Sequence, residues 1–362
     1  MKKLIRLKES RAVRLPVAAM AVAAVAVAAA IVAGQGYAAP SHQFKDPTLE
    51  NGVLTVEGTN ANDRIALRLQ AGQPSVLQVD VGDDGSADFS FQRSAIANIA
   101  VNAGNGDDSV RIDETNGVFA DVIPTTIDGQ NGNDTLAGGT GAGTLSGGNG
   151  DDTLAGGNGA EQLLGGNGND SIDGNKGNDV ASMGNGDDTF IWDPGDGSDT
   201  VEGQNGKDAM VFNGAGAAER VELTANGNRL KFVRDVAGIT MDTAGVERVD
   251  FNALGGADVV IVNDLSGTDV TQFNVDLAGS LGGAVGDGAA DRVIVNATNG
   301  NDTIDVSGDA GGVEVGGLVP TVQVFHSQVA NDRLDINTLL GSDAVSSGRL
   351  GDGVIQLFVD AP

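Results

Sequence analysis

The sequence predicts an all-β chain built from short strands and glycine-rich turns, and three observations carry that prediction. A nine-residue period runs unbroken through the middle of the chain, the mark of a solenoid rather than a mixed fold. Glycine supplies 56 of the 362 residues, about twice the ordinary usage of roughly 7%. The 50 acidic residues divide into 40 Asp and 10 Glu, a skew towards the residue that serves turns and oxygen-ligand sites and away from helices. A helical bundle is excluded.

Taken from the N-terminus, residues 1–14 carry Lys2, Lys3, Arg6, Lys8, Arg11 and Arg14, and Leu15–Ala33 follow as an uncharged Ala/Val-rich run of 19. Gly36-Tyr37-Ala38 then fits a small-residue cleavage site. Residues 1–38 therefore read as a signal peptide, and the remainder as a secreted or cell-surface protein. The competing reading is an uncleaved anchor, since 19 apolar residues can just span a bilayer. Beyond residue 38 the chain holds 15 basic and 49 acidic residues, so its compact state requires neutralisation.

Residues 39–100 read as an N-terminal β segment. Leu77, Val79 and Val81, then Ala87, Phe89 and Phe91, alternate with mostly polar residues around Gly82-Asp83-Asp84-Gly85, a hairpin pattern. Asp80, Asp84 and Gly85 also match part of an EF-hand loop, but Phe91 stands where its closing Glu belongs.

From Gly129 to Ile191 seven contiguous nonapeptides follow: GQNGNDTLA, GGTGAGTLS, GGNGDDTLA, GGNGAEQLL, GGNGNDSID, GNKGNDVAS and MGNGDDTFI. The fourth position is always Gly and the sixth is Asp in five of the seven. The eighth position reads Leu136, Leu145, Leu154, Leu163, Ile172, Ala181 and Phe190. These residues resemble the RTX (hemolysin-type) calcium-binding repeat, GGxGxDxUx. The resemblance implies a parallel β-roll in which the glycine-rich part turns, the last three residues form a strand, and two nonapeptides complete a coil. It also implies calcium ions, several of them, held by sixth-position carboxylates and turn carbonyls.

On that winding the sixth positions fall into two columns on opposite edges. One reads Asp134, Asp152, Asp170 and Asp188; the other reads Gly143, Glu161 and Asp179. Trp192 and Asp193 then interrupt the period before PGDGSDTVE and GQNGKDAMV extend the columns to Asp199 and Asp208. Upstream, AGNGDDSVR adds Asp108. The candidate metal ligands are these eight aspartates, and the Gly143 and Glu161 positions predict unequal edges. An isolated aspartate in such a turn would be a solvated carboxylate. Stacked about 4.8 Å apart, a column of them repels itself unless a cation intervenes.

With 101–213 taken as the calcium-binding roll, residues 214–362 read as degenerate, RTX-like β-solenoid. Asp258, Asp291, Asp302, Asp332 and Asp343 recur there at irregular spacing, which assigns them to structure rather than to a regular column.

Function classes narrow accordingly. No cysteine is present and the two histidines, His42 and His326, are far apart, so disulfides, thiolate zinc and a His-rich centre are excluded. The net charge of −29 argues against nucleic acid and against membrane beyond the N-terminal signal. The expected protein is a non-enzymatic, exported calcium-binding repeat protein that folds on binding, with a structural or interaction role. Two alternatives remain: an adhesin or matrix protein bridging to cell-surface polysaccharide through calcium, and a polysaccharide lyase, epimerase or glycosidase carrying the repeats as an accessory. His326 in VQVFHSQVA reads as a strand residue, and Arg220, Lys231 and Arg234 as scattered bases.

Overall fold

Every second residue along the strands points inward, and those residues are the apolar ones. The eighth-position residues Leu136, Leu145, Leu154, Leu163, Ile172, Ala181 and Phe190 are each no more than 1% exposed. A strand of three residues buries only one such side chain, worth roughly 1.5–3 kcal/mol for a large aliphatic or aromatic group. Such strands are stable only as members of a stack, which is the physical reason for the repeat.

The computed structural model describes residues 44–360, and the expected signal peptide at 1–38 lies outside the described residues. Two sheets of 15 strands each face one another across this apolar core. The chain alternates between them, so that neighbours within a sheet are mostly parallel and one coil apart. Thr135–Ala137, Thr153–Ala155 and Ser171–Asp173 pair in register in one sheet, with Leu136 opposite Leu154 and Leu154 opposite Ile172. Gly143–Asn149, Gln162–Asn167 and Val180–Asn185 do the same in the other, with Leu145 opposite Leu163 and Leu163 opposite Ala181. This is the expected β-roll of two nonapeptides per coil, and both sheets continue beyond the repeats at either end.

The fourth-position glycine is required twice over. Gly150 sits at φ +126°, and a Cβ there would lie 2.0 Å from the Gly132 carbonyl oxygen of the preceding coil. The two-residue insertion is absorbed by packing: Trp192 is fully buried, stacks on Phe212 with ring centroids 4.0 Å apart, and donates its indole N–H to the Gly197 carbonyl at 2.8 Å.

Elsewhere the winding is interrupted by antiparallel excursions. Gln73–Val81 pairs with Phe89–Gln92, placing Val79 opposite Phe89 and Leu77 opposite Phe91, the hairpin read from the sequence. Asp80 of the partial EF-hand pattern is instead fully buried against Arg68 at 2.6 Å and accepts from the Gly85 N–H at 2.9 Å. Arg220–Asn226, Arg229–Arg234 and Ile239–Ala244 form a meander inserted into one sheet. Thr303–Asp309, Gly312–Gly316 and Thr321–Phe325 form another in the opposite sheet. His326 corrects the strand expectation: the strand ends at Phe325, and His326 turns at φ +57° with Nδ1 2.6 Å from Asp276 Oδ1.

Candidate metal centre: two columns of buried carboxylates

An acidic residue stands immediately before each successive strand along one edge of the roll, where the turn delivers its side chain beneath the previous coil. In each step a backbone N–H donates to the carboxylate one coil on. Asp134 donates to Asp152 at 2.7 Å, Asp152 to Asp170 at 2.8 Å, Asp170 to Asp188 at 2.7 Å and Asp188 to Asp208 at 2.9 Å. The column is longer than the repeats. Asp108 donates to Asp134 at 2.7 Å, although 26 residues separate them, because the intervening coil carries extra chain, whose Phe119 and Ile123 pack into the core. Asp63 below and Glu247 above complete it, with steps of 2.7 Å each. Neither end residue was among the sequence-derived candidates, since 45 and 39 residues separate them from their neighbours.

The opposite edge is shorter in the repeats. Glu161 donates to Asp179 at 2.7 Å and Asp179 to Asp199 at 2.8 Å, while Gly143 brings no carboxylate. Glu161 is too long to copy the aspartate geometry; it folds back onto its own turn and accepts from the Gly157 N–H at 3.0 Å. A shallow groove of about 380 Å³ opens here between Gly143, Glu161 and Val180. Beyond the first meander the same edge resumes: Glu219 donates to Asp258 at 2.7 Å, Asp258 to Asp291 at 2.8 Å and Asp291 to Asp332 at 3.2 Å. This corrects the expectation that irregular spacing denies the C-terminal acids a column. Separations of 39, 33 and 41 residues hide a stack that is regular in space, because the meander and loops carry the extra length.

The second carboxylate oxygen makes the columns chemically unusual. All eight sequence-derived aspartates, Asp108, Asp134, Asp152, Asp170, Asp179, Asp188, Asp199 and Asp208, are at most 2% exposed, and the Oδ2 of each has no hydrogen-bond partner among the described residues. Leaving a buried acceptor unsatisfied costs about 1–3 kcal/mol, and more for a charged one. These oxygens also face other acceptors. A Cβ placed on Gly147 would meet Asp152 Oδ2 at 2.3 Å and the Gly165 carbonyl at 2.7 Å; on Gly129 it would meet Asp134 Oδ2 at 2.3 Å and the Gly147 carbonyl at 2.6 Å. Carboxylate and carbonyl oxygens of adjacent coils thus converge on one small cradle that only glycine leaves open.

Such a cradle accepts a proton or a cation. Burial pushes the carboxyls upward, to about 7 for Asp108, Asp152 and Asp208, about 6 for Asp170 and Asp199, and about 8 for Asp179. The donated backbone N–H opposes that shift, and the charge of the neighbouring column members adds to it. Among the described residues no three acidic or histidine side chains gather closely enough to hold a metal by themselves. The donor set is therefore one carboxylate with carbonyls, all hard oxygens, which suits calcium better than a transition metal. The residues fit the ion that the repeat pattern implies.

An exposed amide column, not singled out in the sequence, runs beside the first edge. Asn131, Asn149, Asn167, Asn185 and Asn205 each donate Nδ2–H to the Asn Oδ1 one coil below at 2.7–2.9 Å. Their recurrence at the third repeat position was the available signal.

Fold and site together define a parallel β-roll whose turns present buried, cation-ready oxygen cradles. Comparison with protein families agrees: residues 128–160 and 155–190 match the RTX calcium-binding nonapeptide repeat, in four copies. The chain thus carries calcium-binding RTX repeats, over well under half of its length. No curated protein matches it.

Proposed function

We propose that this is an exported calcium-binding repeat protein whose roll folds when calcium enters the cradles, and whose role is structural or interactive rather than catalytic. The observation that carries the reading is the row of buried, unpartnered Oδ2 atoms at Asp108, Asp134, Asp152, Asp170, Asp179, Asp188, Asp199 and Asp208. In the metal-free chain these carboxylates repel one another and oppose compaction; a divalent ion between coils supplies the missing partner, so binding energy becomes folding energy. The signal-peptide pattern of residues 1–38, basic and then apolar, supports export from a low-calcium cytosol to surroundings where extracellular modules with affinities of about 10⁻⁴ to 10⁻³ M would fill. The test is a calcium titration of residues 39–362 after chelation, followed by far-UV circular dichroism and by Trp192 fluorescence. A cooperative gain of β signal with calcium and none with magnesium supports the reading. A chelated protein already folded and indifferent to calcium defeats it.

A further inference from the structure

The geometry points to an additional divalent-cation site in the C-terminal half, outside the nonapeptides, formed by Glu219 with the backbone carbonyls of Asn252 and Ala253 and bordered by Asp258 of the next coil. Glu219 and Asp258 belong to consecutive coils, are 3% and 1% exposed, and each keeps one carboxylate oxygen, Glu219 Oε2 and Asp258 Oδ2, with no hydrogen-bond partner among the described residues. The other oxygens are committed: Asp258 Oδ1 accepts from the Glu219 N–H at 2.7 Å, and Glu219 Oε1 accepts from Ala215 N–H at 3.0 Å and from Arg234 Nε at 2.9 Å. The cradle seen in the repeats recurs here. A Cβ on Gly214 would meet Glu219 Oε2 at 2.6 Å and the carbonyl oxygens of Asn252 and Ala253 at 2.9 Å each. Three oxygen acceptors from two coils converge, the two carbonyls each accepting one backbone N–H and keeping a second lone pair, the arrangement that Gly147, Asp152 and the Gly165 carbonyl make within the repeats.

Charge favours a cation. Arg234 balances Glu219, but Asp258 has no basic partner among the described residues; Asp291 follows it in the column, and Asp287 lies beside its turn, accepting from the Gly256 N–H at 2.9 Å. The pocket thus retains net negative charge after the guanidinium is counted. The ligand class is a hard divalent ion, and the site goes beyond the repeat-borne function, since its residues lie outside the matched repeats.

The test is calcium content per chain at saturation, measured on the full protein, together with amide hydrogen exchange over residues 252–259 in calcium and in chelator. Asp258→Asn retains the Oδ1 acceptor and removes the charge. Gly214→Ala retains every charge and places a methyl group in the cradle. Each variant is expected to bind one calcium fewer than the unaltered chain and to lose calcium-dependent protection at 252–259, with protection at 129–191 kept. Unchanged content and protection in a folded variant overturns the site. Should Asp258→Asn fail to fold, Gly214→Ala decides, and absence of any calcium response at 252–259 in the unaltered chain overturns it independently. Loss of all calcium binding in the unaltered chain would instead condemn the repeat reading itself.

Discussion

Replacing one column aspartate by its amide should act with opposite sign on the metal-free and calcium-loaded protein. Asp152 is the clearest case, because it is 1% exposed and has column neighbours on both sides. Ionising a carboxyl whose pKa stands at about 7 rather than 3.8 costs the metal-free fold on the order of 4 kcal/mol at pH 8. Asp152→Asn removes that cost. The amide oxygen still accepts from the Asp134 N–H, and the amide N–H gains the Gly165 carbonyl that faces the cradle. In chelator, therefore, the variant should unfold at a higher urea concentration than the parent, with a gain of up to a few kcal/mol. In calcium it should be the less stable of the two, because an ion has lost a charged ligand. Paired urea denaturations at pH 8, in chelator and in calcium, read both signs. A variant no more stable than its parent in chelator, or one whose calcium-induced stabilisation matches the parent's, would refute the account of Oδ2 as a cation ligand held in reserve.

Acid should partly replace calcium. Asp108, Asp152, Asp179 and Asp208 have folded pKa values of about 7, 7, 8 and 7, above their unfolded values, so the folded state binds more protons between roughly pH 4 and 8. The stability of the chelated protein should rise as pH falls through that window and decline as pH rises through it; a flat profile by circular dichroism would contradict the burial argument. Asp170→Ala should weaken calcium-induced folding more than Glu161→Ala. The first strips the Asp152 N–H of its acceptor at 2.8 Å, at a cost of about 1.5–3 kcal/mol, whereas the Glu161 carboxylate accepts from the Gly157 N–H of its own turn; equal shifts in a calcium titration would sink the unequal-edge model. In chelator, amide exchange across residues 129–211 should be fast, and it should slow with calcium; strong protection without the ion would show that the stacked strands hold the roll alone.

The repeats were legible because one coil there equals eighteen residues, so sequence period and spatial period coincide. Asp134, Asp152, Asp170 and Asp188 can be aligned by counting, and their inward neighbours Leu136, Leu154, Ile172 and Phe190 fall in register with them. The same counting fails wherever a coil carries extra chain. Asp63 and Asp108 are 45 residues apart because the hairpin of Gln73–Val81 and Phe89–Gln92 lies between them. Glu219 and Asp258 are 39 apart because two strands of the meander do. What persists is local: an acid immediately before a Val/Ile/Leu-rich strand, preceded by small residues, as in GAGAAER, GGADVV and GAADRV. That signature, and not the spacing, locates a column member.

The meander also explains why the second edge is divided. Between Asp199 and Glu219 the sheet takes in two further strands: Arg229–Arg234 runs antiparallel to both its neighbours, and Ile239–Ala244, parallel to Thr200–Asn205, is entered through Val236-Ala237-Gly238 and so brings no acid to the column. At that discontinuity Arg234, 3% exposed and lying 5.2 Å over the Trp192 ring, pairs with Glu219. Among the described residues Glu219 is the sole column acid with a basic partner. A tethered guanidinium therefore compensates Glu219 Oε1 on the side of the break, where two inserted strands separate it from the Asp199 coil, and leaves Oε2 to the cradle shared with the Asn252 and Ala253 carbonyls. Neutralising Arg234 would leave Glu219 buried and unpaired on that side, a loss of about 3–5 kcal/mol that calcium could not restore at Oε1.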